Sequence, residues 1–312
     1  MKERDLVLVT GAGGFIGGHV VHSLMATGHQ VRAHLGPPGF IPIHSLGLGV
    51  ETISCPIDDW DAVEHMVQGV ACVVHLAGPP SVATSFRVPG EFARAHILGT
   101  AHVIDACLKH GVTRLVYGSS AEVYGRQPAM PVSEEAPLVP RSPYAAFKLA
   151  AEDMARARAS SALTVVILRF FSVYGPSMSR HSLIHQVFQQ ARDTASVMVH
   201  NPTVVRDFIH VSDVADAVAT ACQAPVAEPC LKLNVGSGIG TSVREFAGRV
   251  LRLFGKPARV GSVAEASDRP EDMDIMTLIA DRRAIERTFG WRPKLDLEAG
   301  LASIAQELGA MP

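Results

Sequence analysis

Leu6-Val7-Leu8-Val9-Thr10-Gly11-Ala12-Gly13-Gly14-Phe15-Ile16-Gly17 is the stretch whose reading decides the fold. Four apolar residues, two of them β-branched, read as a buried strand. The run stops at a cluster of glycines. Helical spacing then begins at Ile16, Val20 and Leu24 and ends near Gly28. Gly11, Gly14 and Gly17 each permit a tight turn or a close backbone approach, and the start of the helix presents amides to a pyrophosphate. A glycine pattern alone says little. One set between a buried strand and a helix predicts a dinucleotide site.

Outward from this unit the alternation continues. Strands are expected at Gln30 to Leu35, Val50 to Ile53, Ala71 to Gly78, Leu115 to Gly118 and Leu163 to Phe170. Helices are expected at Asp59 to Gln68, at Pro89 to His110 and from Tyr144 onward. Gln127 to Pro143 holds five prolines and reads as an ordered loop. Strands alternating with helices predict an α/β, Rossmann-type doubly wound parallel sheet. Beyond Phe171 short strands (Val197 to His200, Phe208 to Val211, Leu231 to Val235) mix with helices, one of them opened by a capping box at Ser242-Val243-Arg244-Glu245. A smaller C-terminal α/β substrate domain is therefore expected against the sheet's C-terminal edge. Residues 1–171, with returning segments about 204–238, would hold the dinucleotide; 172–203 and 239–312 would hold the substrate.

Composition narrows the classes. The 312 residues are 47% hydrophobic and 19% charged, which supplies ample core for a globular protein. A net charge of −2, with no basic stripe, argues against a nucleic-acid partner. No apolar run reaches the roughly 18 residues that span a bilayer, and no signal-peptide core follows Met1-Lys2-Glu3-Arg4-Asp5. Five scattered cysteines without Cys-x-x-Cys fit a reducing cytoplasm. His181 and His185 have helical spacing but no acidic residue between them, so no metal site is expected.

Ser142-Pro143-Tyr144-Ala145-Ala146-Phe147-Lys148 carries the chemistry, read with Ser119-Ser120-Ala121-Glu122-Val123-Tyr124-Gly125. On a helix, Tyr144 and Lys148 share one face. A phenol titrates near pH ~10, and a neighbouring ammonium favours the phenolate. Ser120, at the end of an apolar run, can share a hydrogen bond at the same centre. Such a set suits moving a proton on and off a hydroxyl while hydride leaves the same carbon.

Thr10-Gly-x-x-Gly-Phe-Ile-Gly17, His75-Leu76-Ala77-Gly78, Ser120 with Tyr144 and Lys148, Arg206-Asp207-Phe208-Ile209-His210-Val211 and Arg269-Pro270-Glu271-Asp272 occur in one order along nearly the whole chain. Together they resemble the extended short-chain dehydrogenase/reductases of the NDP-sugar epimerase/dehydratase group. The resemblance implies that Gly11, Gly14, Phe15, Ile16, Gly17, Leu76 and Ala77, with Tyr144 and Lys148, bind NAD. Tyr144 would be the base for a sugar hydroxyl. Lys148 would hold the nicotinamide ribose and lower the Tyr144 pKa, and Ser120 would share the proton. Arg206 and Arg269 would clamp the diphosphate, as guanidinium forks suit. Asp272 would face the nucleoside ribose, and Ser172 stands where the group often has an Asn near the sugar phosphate. The implied substrate is a UDP-, dTDP- or GDP-sugar. The two long helices would pair with their copies in a homodimer.

Departures from the group's pattern are Leu35 for the ribose-reading acid, Pro56 for the acid near the adenine, and His96 for the Asn ahead of Gly99-Thr100. With Leu35 there, NADP is not excluded. Arg32 precedes the expected position and should point to the other side of its strand. The pair Ala121-Glu122 separates reactions. A 4-epimerase acting through a transient 4-keto sugar is the leading reading. Glu122 permits a dehydratase or decarboxylase that removes an α-proton, and an NADPH-dependent 4-keto-sugar reductase also fits. A nucleotide-sensing scaffold is the non-enzyme alternative, opposed by the intact Ser120, Tyr144 and Lys148.

Overall fold

The computed structural model describes residues 6–40, 42, 46–47, 49–180, 182–263 and 273–307. The opening strand β1 (Leu6–Thr10) alternates its side chains across the sheet. Val7 and Val9 enter one core and Leu8 the other, all buried. Burying each such side chain contributes about 1.5–3 kcal/mol, so this strand is apolar on both faces, as a central parallel strand must be.

Helix α1 (Phe15–Ala26) crosses to β2 (Gln30–Gly36), which runs to β3 (Glu51–Ser54), α2 (Trp60–Val67) and β4 (Cys72–His75). Short helices α3 (Val82–Arg87) and α4 (Pro89–Ala93) lead into α5 (Gly99–Lys109), then β5 (Arg114–Ser120), α6 (Pro143–Arg158) and β6 (Thr164–Phe170). After β7 (Ser172–Tyr174), α7 (Leu183–Asp193), β8 (Val197–Val199) and β9 (Val205–His210), the chain returns through α8 (Val211–Gln223) to β10 (Cys230–Val235). These strands build a seven-stranded, all-parallel sheet in the order β10-β6-β5-β4-β1-β2-β3. The strand order reverses between β1 and β4, where ligands of open α/β sheets bind. Residues from α1 and α8 fill the core on one face; residues from α2, α5 and α6 fill the other. The expected fold class is the one found.

The remaining elements form a smaller layer: β11 (Gly240–Ser242), α9 (Val243–Leu253), β12 (Val260–Ser262), β13 (Thr277–Leu278), α10 (Arg283–Phe289) and α11 (Leu297–Glu307). The first half of β9 pairs with β11 and β13, its second half with β7, and β12 pairs with β8. Residues of α7, α9 and α11 bury a separate core here. Of the returning segment, α8 and β10 pack on the large sheet while β9 lies in the small one.

Two local expectations change. The stretch Pro89 to His110 is not one regular helix: Arg94–Leu98 is π-helical between α4 and α5. The inserted widening is a local feature often found at functional sites, and it carries His96. The capping box at α9 is half formed. Ser242 Oγ accepts from Glu245 N–H at 3.1 Å, while the Glu245 carboxylate pairs with Arg249 one turn on at 2.6 Å. The i,i+4 guanidinium outcompetes the single backbone amide.

Candidate active site

Strand β1 delivers the chain to the glycine turn at Gly11, whose φ of +72° favours glycine. Gly14 caps α1 without any side-chain partner, and no acidic residue occupies the first turn. A Cβ on Gly17 would collide with the Gly11 carbonyl, and one on Gly11 would sit 2.9 Å from Ala77 N. Turn, helix and the end of β4 are thus packed to backbone contact, leaving a positive helix end facing outward. Those residues fit a pyrophosphate. Ile16 packs into the sheet core, and Phe15 packs toward the core of the smaller layer.

Two histidines lock this arrangement. Thr10 Oγ1 accepts from the amides of Leu76 and Ala77 at 3.1 and 3.2 Å, so its own proton goes to His75 Nδ1 at 2.7 Å. His75 Nε2–H then donates to Thr100 Oγ1 at 3.0 Å. His34 Nε2–H donates to Cys55 O at 2.9 Å and its Nδ1 accepts the Gly11 amide at 3.3 Å. Burial holds both rings neutral by pushing their pKa values down.

The reacting groups come from β5 and α6. Ser142 caps α6 by accepting from Ala145 N–H at 3.1 Å, and Pro143 follows as a natural first helical residue. One helical face then carries Tyr144, Lys148 and Glu152. The Ser120 hydroxyl is near enough to the Tyr144 phenol to lower its pKa. Ser120 Oγ also accepts the Glu122 amide at 3.2 Å, starting the 3₁₀ turn Ala121–Tyr124. Lys148 is buried, donates to Gly118 O at 2.7 Å and lies 4.9 Å over the Tyr117 ring. Ser120, Tyr144, Lys148 and Glu122 are therefore brought together at the C-terminal end of the sheet.

Their electrostatics differ from the sequence expectation. The Tyr144 phenol is pushed up to about 12 by burial and by the Glu122 charge, against a lowering hydrogen bond from Ser120. Lys148 is lowered to about 8 by burial, which Glu152 partly offsets. The Lys148 ammonium is held by Gly118 O at 2.7 Å, and burial of the phenol outweighs the lowering by Ser120.

Several supporting residues escaped sequence reasoning. Arg169 on β6 is buried against Glu152, with contacts of 2.7, 3.1 and 3.3 Å. It also donates to Tyr124 Oη at 2.9 Å, and Ser119 Oγ donates to Glu152 at 2.5 Å. His96 fits against Gly78, where any Cβ would overlap its imidazole, and stands edge-on to Tyr144 at 5.7 Å. Its Nε2–H donates to Pro79 O at 3.1 Å, and burial lowers it to about 3. Ser85 Oγ accepts the Tyr144 amide at 3.2 Å. Only His96 carried a sequence signal, as a departure from the group's Asn.

Arg206 lies half-buried on β9, its guanidinium donating to Val205 O at 3.1 Å. Ser172 opens β7, paired with Phe208. Arg269, Asp272 and His181 lie outside the described residues. Asp207, between Arg206 and Phe208, is a buried hub: it accepts from Ser237 N–H and Oγ, Gly238 N–H and Ala280 N–H at 2.6–3.0 Å. Arg32 turns away from the glycine turn, as expected, onto the carbonyls of Met66 and Gln68. Among the described residues no group of three ligating side chains could hold a metal.

Residues 7–236 match the family model described as the NAD dependent epimerase/dehydratase family. A UDP-glucose 4-epimerase of Azospirillum brasilense is 31% identical over 96% of this chain and 90% of its own. The structure of a UDP-glucose-4-epimerase from Stenotrophomonas maltophila with bound NAD and formylated UDP-arabinopyranose superposes with a TM-score of 0.88 at 28% identity, covering 99% of both chains. An NAD-dependent NDP-hexosamine 5,6-dehydratase, TunA, involved in tunicamycin biosynthesis, superposes with a TM-score of 0.86 at 31% identity, again over 99% of both. The likeness runs through both layers of the fold and the length of the sequence: the chain belongs to the NAD dependent epimerase/dehydratase family.

Proposed function

We propose that this enzyme interconverts the two C4 epimers of a nucleoside-diphosphate sugar, a UDP-sugar first among the candidates. The observation that carries the reading is Tyr144, beside Ser120 and one helical turn from the buried Lys148, at the C-terminal end of the sheet. NAD, which Gly11, Gly14, Phe15, Ile16, Gly17, Leu76 and Ala77 would hold, would supply a reversible hydride acceptor. Tyr144 takes the O4 proton and returns it, Ser120 holds the hydroxyl oxygen in line, and Lys148 grips the nicotinamide ribose. A charge of +1 on Lys148 near the phenol would favour the phenolate once it leaves Gly118 O for the cofactor. Arg206 would neutralise the diphosphate and Ser172 would meet the sugar phosphate; the family resemblance assigns Arg269 to the diphosphate and Asp272 to the nucleoside ribose. The NAD dependence of the family and the UDP-sugar specificity named for its relatives support the reading.

Residues 1–171 with 204–238 carry the cofactor, and 172–203 with 239–312 the nucleotide sugar. The protein works as a homodimer paired through α4, α5 and α6, in a reducing cytoplasm. Every cysteine is a free thiol, and no helix among the described residues is long and apolar enough to cross a membrane.

Glu122 favours a second reading, dehydration, because its charge is near enough to Tyr144 to raise the phenol pKa. Glu122→Gln separates the two. An epimerase keeps its rate within about threefold, whereas a dehydratase loses about 10²–10⁴-fold with its general base. Product chromatography on the variant reads the difference directly.

A further inference from the structure

Strand β2 ends at Leu35-Gly36 without the carboxylate or guanidinium that reads an adenosine ribose. Arg32, the one cation on that strand, is committed to Met66 O, Gln68 O and Glu51. What stands at the ribose end is Phe40. A turn closed by Phe40 N–H donating to Pro37 O at 3.0 Å brings the ring back over the strand end. A Cβ on Gly36 would lie 3.4–3.6 Å from Phe40 side-chain atoms; one on Gly13 would lie 3.0 Å from the ring edge and 2.6 Å from Leu35 O. The ring therefore borders both the glycine turn and the strand end. It is also 46% exposed, so core burial does not account for its position.

Resting on the NAD reading above, we infer that Phe40 sets selectivity at the adenosine 2′ position: its ring fills the space that a 2′-phosphate needs. The pocket takes an unphosphorylated ribose without a carboxylate, and discrimination is by exclusion rather than by charge repulsion. A phosphate brought there would meet an apolar edge and no guanidinium to pair with.

Isothermal titration of the full-length protein, stripped of carried-over nucleotide, with NAD⁺, NADP⁺, ADP-ribose and 2′-phospho-ADP-ribose tests this. The wild type should prefer the unphosphorylated ligand of each pair by roughly tenfold or more, and Phe40→Ala should cut that preference to about threefold by tightening the phosphorylated ligands. Phe40→Arg should invert it, since a guanidinium then faces the phosphate. An unchanged preference in both variants, or equal binding by the wild type, overturns the role of Phe40 and leaves the family reading intact. Failure of every dinucleotide to bind the wild type overturns both.

Discussion

Replacing Tyr144 by Phe lowers kcat by a factor on the order of 10²–10⁴ and leaves nucleotide-sugar affinity within about twofold. The phenylalanine ring keeps the edge-on packing against His96 and Phe92, and the backbone stays tied to Ser85. The helix start, capped by Ser142, is untouched. What disappears is the phenol oxygen beside Ser120, the group proposed to take a proton from a sugar hydroxyl and return it. A residue acting only as packing would show little change in rate. Initial rates by product chromatography, with a dissociation constant for a UDP-sugar by calorimetry, separate the two. Normal turnover would remove Tyr144 from the chemistry; lost binding with residual turnover would make it a substrate anchor.

The second large effect is on stability. Glu152→Ala or Arg169→Ala destabilises the protein by about 3–5 kcal/mol, because each leaves the other as an uncompensated buried charge. Both side chains are fully enclosed, and Glu152 raises the Arg169 pKa against a burial that lowers it. Removing Glu152 also leaves the Ser119 hydroxyl without its acceptor, and removing Arg169 takes a donor from the Tyr124 oxygen, which still donates to Asn234. A loss of this size is a large fraction of the roughly 5–15 kcal/mol that holds a domain folded. The double variant Glu152→Leu with Arg169→Leu should cost less than either single change, since an apolar pair leaves no charge behind. Denaturant unfolding of the three variants reads the coupling. Single variants that lose under about 1 kcal/mol would mean that water replaces the missing partner. Because Glu152 shares a helical face with Tyr144 and Lys148, the pair also fixes the α6 face that carries the proposed proton transfer.

The parts legible in the sequence are those set by local rules. The apolar run before Gly11, the periodicity after it and the Ser142-Pro143 helix start each specify their structure within a few residues. Strand ends moved by a residue or two, as with Arg114–Ser120 against an expected Leu115 to Gly118, because pairing with β4 and β6 extends them. Features that depend on distant partners stayed hidden. Nothing local marks Glu152 and Arg169 as a pair, or Asp207 as the acceptor of amides from Ser237, Gly238 and Ala280. The π-helical turn carrying His96 satisfies the space over Gly78, a tertiary demand. The burial that raises the Tyr144 pKa is likewise invisible locally: proximity of Lys148 along the helix is a sequence fact, while burial and the Gly118 carbonyl are not.

The measurement that bears most directly on the proposed reaction is product analysis of the purified protein incubated with UDP-glucose and other UDP-, dTDP- and GDP-sugars, by ion-pair chromatography with mass spectrometry. The account predicts, for at least one UDP-sugar, a new species of unchanged mass that forms without net consumption of NAD⁺ and reaches the same ratio from either epimer. Loss of one water or of carbon dioxide would contradict it and assign Glu122 to the chemistry, and a gain of two hydrogens with NADPH would make the enzyme a reductase.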